Sequence, residues 1–337
     1  MTPKYLKTLE YDKILSRAAA CITCPEAKEM LLAQTAYETI DDMREGLSRT
    51  NTMTSLLIKN GSPRFSGVEK VENVVQRAVK GGVLSMGELL LIGYTLRNFQ
   101  NLIAWYGISE HADLPLDDLF YAMTPQPSLE KNIFESILSE TEMADTASDA
   151  LYDIRRKIRA AENAIRDKLD GIVKSQATSK YLQDAVVSIR NGRFVVPVKS
   201  EYRGEVGGII HDVSSSGSTL FVEPTAVVEG NAKILQLRNQ EQAEIERILS
   251  AFSGAVAALE PMFSYGYAAM LQINLLFAKA QLAVEQNAMM PTVREDGAFR
   301  LVRARHPLID KSKVVPVDIA LGLDYDTLIV TGPNTGG

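Results

Sequence analysis

The chain is short of the residues that would tie it to several familiar chemistries. Two cysteines in 337 residues exclude a disulfide framework and point to a reducing compartment. The 3 histidines, His111, His211 and His306, are scattered, so their spacing carries no metal motif. No apolar run approaches the roughly 20 residues needed to span a bilayer. The N-terminus, Met1 to Lys7, runs into Glu10, Asp12 and Lys13 without the apolar core of a signal peptide. A cytoplasmic protein with no membrane partner is expected. A surplus of positive charge is missing too: 36 Lys and Arg face 42 Asp and Glu, a formal net charge of −6. Any nucleic-acid contact must therefore be a local patch. The length allows two or more domains with cores of their own.

A further absence lies at the C-terminus. Thr327-Leu-Ile-Val-Thr331 is an apolar, β-branched run suited to a buried strand. Gly332-Pro333-Asn334-Thr335-Gly336-Gly337 follows with the G-x-x-x-x-G spacing of a phosphate loop. Such a loop cradles phosphate with backbone N–H groups, while a following Lys reaches the β- and γ-phosphates and a Ser or Thr hydroxyl holds Mg²⁺. Neither residue is present. The expectation is a strand and half a cradle, with a Gly-rich tail as the plainer alternative.

Cys21 and Cys24 make a C-x-x-C. A redox pair should follow a strand and open a helix, and a zinc site needs two more ligands. Here the pair follows Ala18-Ala-Ala20, Thr23 and Glu26 fit a capping box, and Pro25 suits a first turn, so a helix junction with structural cysteines is expected. The first 140 residues have helical periodicity throughout, with a second capping box at Ser85 and Glu88 and Trp105 in an apolar stripe that reads as core.

The middle of the chain is more telling. Leu151, Ile154, Ile158, Ala161, Ile165, Leu169 and Ile172 alternate at three and four residues, and a similar stripe runs from Val227 through Ile245 to Leu259, ending at Pro261. These predict an antiparallel helix pair with Ile165 and Ile245 within one or two turns of each other. Between the stripes, about 184–226 reads as strands. Asn191-Gly192 joins Val186–Arg190 to Arg193–Val198 as a two-residue type I′ hairpin, with Pro197 marking an edge or strand end. Gly207–Asp212 and Thr219–Glu223 supply a second hairpin around Ser214-Ser-Ser-Gly-Ser218. Arg190 and Arg193 flank the first turn and are expected at an exposed apex, with Lys199 and Arg203 in the next connection. These four are the candidate nucleic-acid contacts, and the basic run Arg155 to Arg159 is the reserve candidate. A solvated surface is the plain alternative for both.

Several stretches together carry a resemblance. Thr8-Leu-Glu-Tyr-Asp-Lys-Ile-Leu15, Asn191-Gly-Arg-Phe-Val-Val-Pro-Val-Lys-Ser-Glu-Tyr-Arg-Gly204, His211-Asp212, Gly217-Ser-Thr-Leu-Phe-Val-Glu-Pro224, Arg305-His-Pro-Leu308 and Thr331–Gly337 resemble, in order, the MutS-two branch of the MutS family. That branch lacks the mismatch-reading N-terminal domain and usually ends in an Smr nuclease domain. The resemblance implies a mainly α fold with a small antiparallel β insert. It maps residues 1–140 to a helical core, 141–183 to a lever helix, 184–226 to a β-rich clamp, 227–260 to the returning lever helix, 261–292 to a core helix, and 293–337 to the first strands of an ABC-type ATPase domain.

The same resemblance places Gly332, Pro333, Asn334, Thr335, Gly336 and Gly337 on nucleotide phosphates and Val314, Val315 and Pro316 beside adenine. It implies ATP and Mg²⁺ for the longer protein, with none bound by this part alone, and a homodimer through an ATPase face beyond Gly337. No catalytic residue or metal ligand is assigned within the chain. Two partners are implied for the parent: branched or recombining DNA, with nuclease activity suppressing recombination, or collided ribosomes split with ATP. A helical scaffold without a nucleic-acid role is the reading from a different class.

Overall fold

The computed structural model describes residues 3–65, 69–108 and 113–332. The fold is mainly α-helical with small antiparallel sheets. In chain order the helices are α1 (Pro3–Thr8), α2 (Tyr11–Ala19), α3 (Pro25–Leu32), α4 (Ile40–Asn60), α5 (Glu72–Val79), α6 (Met86–Tyr106), α7 (Asp117–Tyr121), α8 (Pro127–Ser136), α9 (Asp149–Lys174), α10 (Gln176–Ser179), α11 (Val228–Ala258) and α12 (Glu260–Gln286). The strands are β1 (Ile137–Ser139), β2 (Glu142–Met143), β3 (Ser188–Arg190), β4 (Arg193–Lys199), β5 (Gly208–Val213), β6 (Thr219–Pro224), β7 (Phe299–Ala304) and β8 (Val317–Leu321). The chain divides into two compact units. One takes residues up to Gln76, Leu91–Glu130 and those from Leu259 onward; the other takes Arg77–Leu90 and Lys131–Ala258.

The first unit is built on α12, which packs against α2, α3, α4 and α7. This helix corrects an expectation, because it is long and apolar enough to cross a membrane by length and composition. Its apolar residues, among them Phe263, Met270, Ile273 and Phe277, are buried inside the unit, as befits a central core helix. Gly266 lets it close on α6, since a Cβ there would lie 2.9 Å from the Phe99 ring. Trp105 is core, as read, and donates from Nε1 to the Gly61 carbonyl at 2.9 Å. The Thr23–Glu26 capping box does not form. The helix starts one residue later than that box requires, with Cys24 as N-cap and Pro25 in its first turn. Glu26 instead accepts from Tyr267 Oη at 2.9 Å. Burial pushes both the Cys21 and the Cys24 thiols up, which suits a structural role.

The second unit carries the helix pair. Ser148 caps α9, accepting from Leu151 N at 3.0 Å, and Ser85 with Glu88 forms the expected capping box at the start of α6. One face of α9 (Leu151, Ile158, Ile165, Leu169, Val173) is buried, as are Ile234, Leu237 and Ile248 of α11, and the two helices pack along their lengths. Polar cross-links fix the alignment: Arg155 to Glu241 at 2.6 Å, Arg238 to Glu162 at 2.9 Å and Ser148 to Glu244 at 2.7 Å. Ile165 lies against Gly230, where a Cβ would come within 2.8 Å of its side chain. The expected pairing of Ile165 with Ile245 is therefore wrong by about 15 residues, or about 22 Å of helix rise. A repeating apolar stripe specifies which face is buried, but not the axial register.

The insert is a four-stranded antiparallel sheet in the order β3-β4-β6-β5. Arg190 pairs with Arg193 across the Asn191–Gly192 turn, whose φ values of 50° and 72° are those of type I′. Pro197 sits within β4, an interior strand, and not at an edge. Its carbonyl accepts from Gln183 N at 2.9 Å, so its missing N–H also faces the 181–183 segment and the ladder to β6 loses nothing. Phe194, Val196, Val198, Leu220 and Val222 form one face, packed on Ile165, Leu169, Val173, Val227 and Ile234.

The two ends of this sheet differ in place. β6 ends at Pro224 and leads into α11 beside Ile165 and Lys168, whose Nζ reaches the Ala226 carbonyl at 3.4 Å. Arg193 and Glu223 are at this near end. Lys199 and Thr219 pair at the far end, where Lys199 N bonds Tyr181 O at 3.0 Å and Ser200 N bonds Ser218 O at 3.0 Å. Only α9 reaches out there, running on about 9 residues past Ile165, or about 13 Å. The Asn191–Gly192 turn is thus not the outer apex that was expected. Residues 176–187 carry the chain outward, so β3 runs back and its turn falls beside α11.

In the first unit, β7 and β8 pair only with each other among the described residues. Residues 327–331 are not a strand, against expectation, and Ile329 and Val330 are 80% and 84% exposed. A buried strand needs neighbours on its ladder and cover on its faces, and the β7–β8 hairpin provides neither here.

Candidate functional site

The near end of the sheet is organised around Glu223, whose side chain is fully buried. A buried carboxylate is costly unless every oxygen is bonded. Arg193 Nη1 donates to both oxygens, at 2.9 and 3.0 Å, Asn231 Nδ2 donates at 2.9 Å, and His211 Nε2 makes a close contact. Burial raises the Glu223 carboxyl, but the bonds from Asn231, His211 and Arg193 outweigh it and leave the group below its ordinary value. Asn231 also accepts from Phe194 N and donates to Phe194 O, both at 3.0 Å, so one amide on α11 acts as a strand partner for β4. His211 falls where the β5–β6 register shifts between Ile210 and Asp212, a bulge that re-aims its ring. Arg193 is therefore a structural ion-pair partner, which overturns the expectation of an exposed apical arginine. Arg190 is partly engaged as well, lying 4.1 Å from the Phe221 ring centroid and 3.4 Å from Asp212.

The far end is arranged differently. Lys180 is exposed with its Nζ 4.8 Å from the Tyr181 ring centroid, and Lys199 Nζ donates to the Lys180 carbonyl at 3.3 Å. Arg203 is exposed and has no ion-pair partner among the described residues. Beside them the β5–β6 loop turns through Gly217 at φ 71°, with Ser215, Ser216 and Ser218 exposed. Its hydroxyls form a chain, Ser214 to Ser216 at 3.3 Å and Ser216 to Ser218 at 2.7 Å. Most of the reserve cluster at 155–159 is paired: Arg155 and Arg159 both bond Asp145, at 2.7 and 2.9 Å, and Arg156 pairs with Asp153 at 2.9 Å, while Lys157 is exposed. Those two arginines hold the Asp145 carboxyl below its ordinary value.

Of the residues assigned to nucleotide, Val314 is half-buried, and Val315 and Pro316 are exposed in the loop between β7 and β8. Gly332 is the last described residue; Pro333, Asn334, Thr335, Gly336 and Gly337 lie outside the described residues.

No protein-family profile matches the chain. Among individual relatives, it is 40% identical over all of its length to Endonuclease MutS2 of Clostridium perfringens strain SM101, covering 43% of that protein. It is 38% identical to the protein of the same name from Clostridium botulinum strain Alaska E43 and 36% to that of Acetivibrio thermocellus, again over the full chain and 43% of each relative. The chain belongs to the MutS-two family. It spans less than half the length of these curated relatives. Within this MutS-two chain, sequence reasoning missed Glu223, His211 and Asn231. One signal was available: a carboxylate in the otherwise apolar run Leu220-Phe-Val-Glu223-Pro224 of a strand needs buried partners. Lys180 was missed because its place at the far end follows from topology, not from any motif.

Proposed function

We propose that this MutS-two chain supplies the gripping part of an ATP-dependent clamp protein that acts on branched or recombining DNA. In this reading the first unit belongs to the helical core, α9 and α11 are the lever, and the four-stranded sheet is the clamp. One observation carries the reading: a helix pair holds out a small sheet whose far end offers exposed cations and hydroxyls. The curated relatives' name, Endonuclease MutS2, agrees with a nucleic-acid substrate. ATP binding by Val314–Pro316 and Gly332–Gly337, hydrolysis, homodimerisation and DNA cleavage belong to the longer protein.

The test is a competition assay in which the full-length protein chooses between a four-way DNA junction and collided ribosomes across a salt series. Capture of the junction, weakening steeply as salt rises, supports the DNA reading. Co-sedimentation with ribosomes alone would make the ribosome the partner. Binding to neither would leave a helical scaffold.

A further inference from the structure

We propose that a phosphodiester backbone is held at the far end of the four-stranded sheet, by Lys180, Arg203 and the Ser214–Ser218 loop, and not at the Asn191–Gly192 turn. This rests on the nucleic-acid reading above and fixes where contact is made.

Three observations converge on it. The first is position. The strand register puts Lys199 and Thr219 at the end of the sheet opposite α11, so within this unit the segment around them is clear of the α9–α11 seam. The second is availability. Arg193 is spent on Glu223, Arg190 on Phe221 and Asp212, and Arg155 and Arg159 on Asp145. Lys180 and Arg203 have no carboxylate within ion-pair distance among the described residues, so a phosphate oxygen can pair with either without displacing an internal partner. The third is the loop chemistry. The exposed Ser215 hydroxyl can donate to a phosphate oxygen, the Ser214–Ser216–Ser218 chain leaves one further hydroxyl hydrogen to do so, and the Ser200 N to Ser218 O bond ties this loop to the segment leading to Arg203. Gly204 and Gly217 have no heavy atom within 4 Å of where a Cβ would stand, so backbone here is open to a ligand.

Asp184, Glu201 and Glu205 are exposed in the neighbouring segments. They offset the cations, so the surface exerts no broad positive field. The contact is short-range and involves few phosphates, about two or three, which sets the size of its salt effect.

Fluorescence anisotropy on a four-way DNA junction, with a parallel arm on collided ribosomes, tests this in the full-length protein between about 50 and 200 mM salt. Lys180→Glu with Arg203→Glu should weaken binding at least about tenfold and lower the log–log salt slope by about 2. Replacing Ser215, Ser216 and Ser218 by Ala should weaken binding to a smaller degree, with the slope unchanged. Arg190→Gln should stay within about twofold of wild type. Loss in the DNA arm identifies DNA phosphates as the contact, and loss in the ribosome arm identifies those of ribosomal RNA. Unaltered affinity and slope for the double reversal, with wild type binding well, would overturn the proposed location but leave the nucleic-acid reading intact. Wild type binding in neither arm would overturn both.

Discussion

The two ends of the four-stranded sheet use the same residue types for opposite purposes. Near α11, Arg193, His211 and Asn231 converge on a fully buried carboxylate; about 20 Å of strand away, Lys180 and Arg203 stand in solvent without such a partner. An arginine in a strand therefore says little until its neighbours are known. Where a carboxylate is buried beside it, its charge is consumed in holding the fold. Where only hydroxyls and backbone surround it, its charge adds little to stability and remains available.

The contrast can be broken most forcefully at Arg193. Arg193→Glu sets a second carboxylate against buried Glu223 and should destabilise this unit by about 3–5 kcal/mol, read by urea unfolding with hydrogen exchange on β4 and β6. A loss below about 1 kcal/mol would mean that the near end is as loosely held as the far end. Asn231→Ala comes next. It leaves Phe194 N–H and C=O without a partner and removes one of the bonds to the buried Glu223 carboxylate, and about 2–3 kcal/mol should be lost in the same measurement.

Of the two ends, the near one should be the acid-sensitive one. The folded Glu223 carboxyl lies below its ordinary 4.5, so its contribution is complete above that pH and is lost as pH falls through the lower folded value. Wild type should lose thermal stability more steeply below pH 4.5 than Glu223→Gln, whose baseline is lower but flatter. Parallel curves would assign acid sensitivity to other carboxylates. The smallest effect belongs to the far end: Lys180→Glu with Arg203→Glu should shift unfolding by no more than about 0.5 kcal/mol. A larger shift would show that these side chains also hold the fold.

The parts legible in the sequence were those set by local stereochemistry. Asn191-Gly192 could be read as a type I′ turn because few other pairs tolerate two positive φ values, and Ser85 with Glu88 because a capping box spans only four residues. The faces of α9 and α11 followed from a 3.6-residue period. What needed distant partners was not legible. Sliding one helix by a turn along another buries a similar stripe, so the register of Ile165 on Gly230 had no local signature. Thr327–Thr331 has a strand's composition, but composition supplies no neighbouring strand. Arg193 looked free because Glu223, 30 residues on, had to be folded back to meet it.

The different reach of the two long helices has a mechanical consequence. α9 continues beneath the sheet to its far end, whereas α11 begins beside the near end. A pull on the outer loops is therefore carried by α9 along its own axis. It reaches α11 by two routes: through β6, which runs directly into that helix and is braced there by the Asn231 amide and the Glu223 carboxylate, and through the Arg155–Glu241 and Arg238–Glu162 cross-links of the helix pair. That small polar bolt shares with those cross-links the work of making the two helices move as one rod.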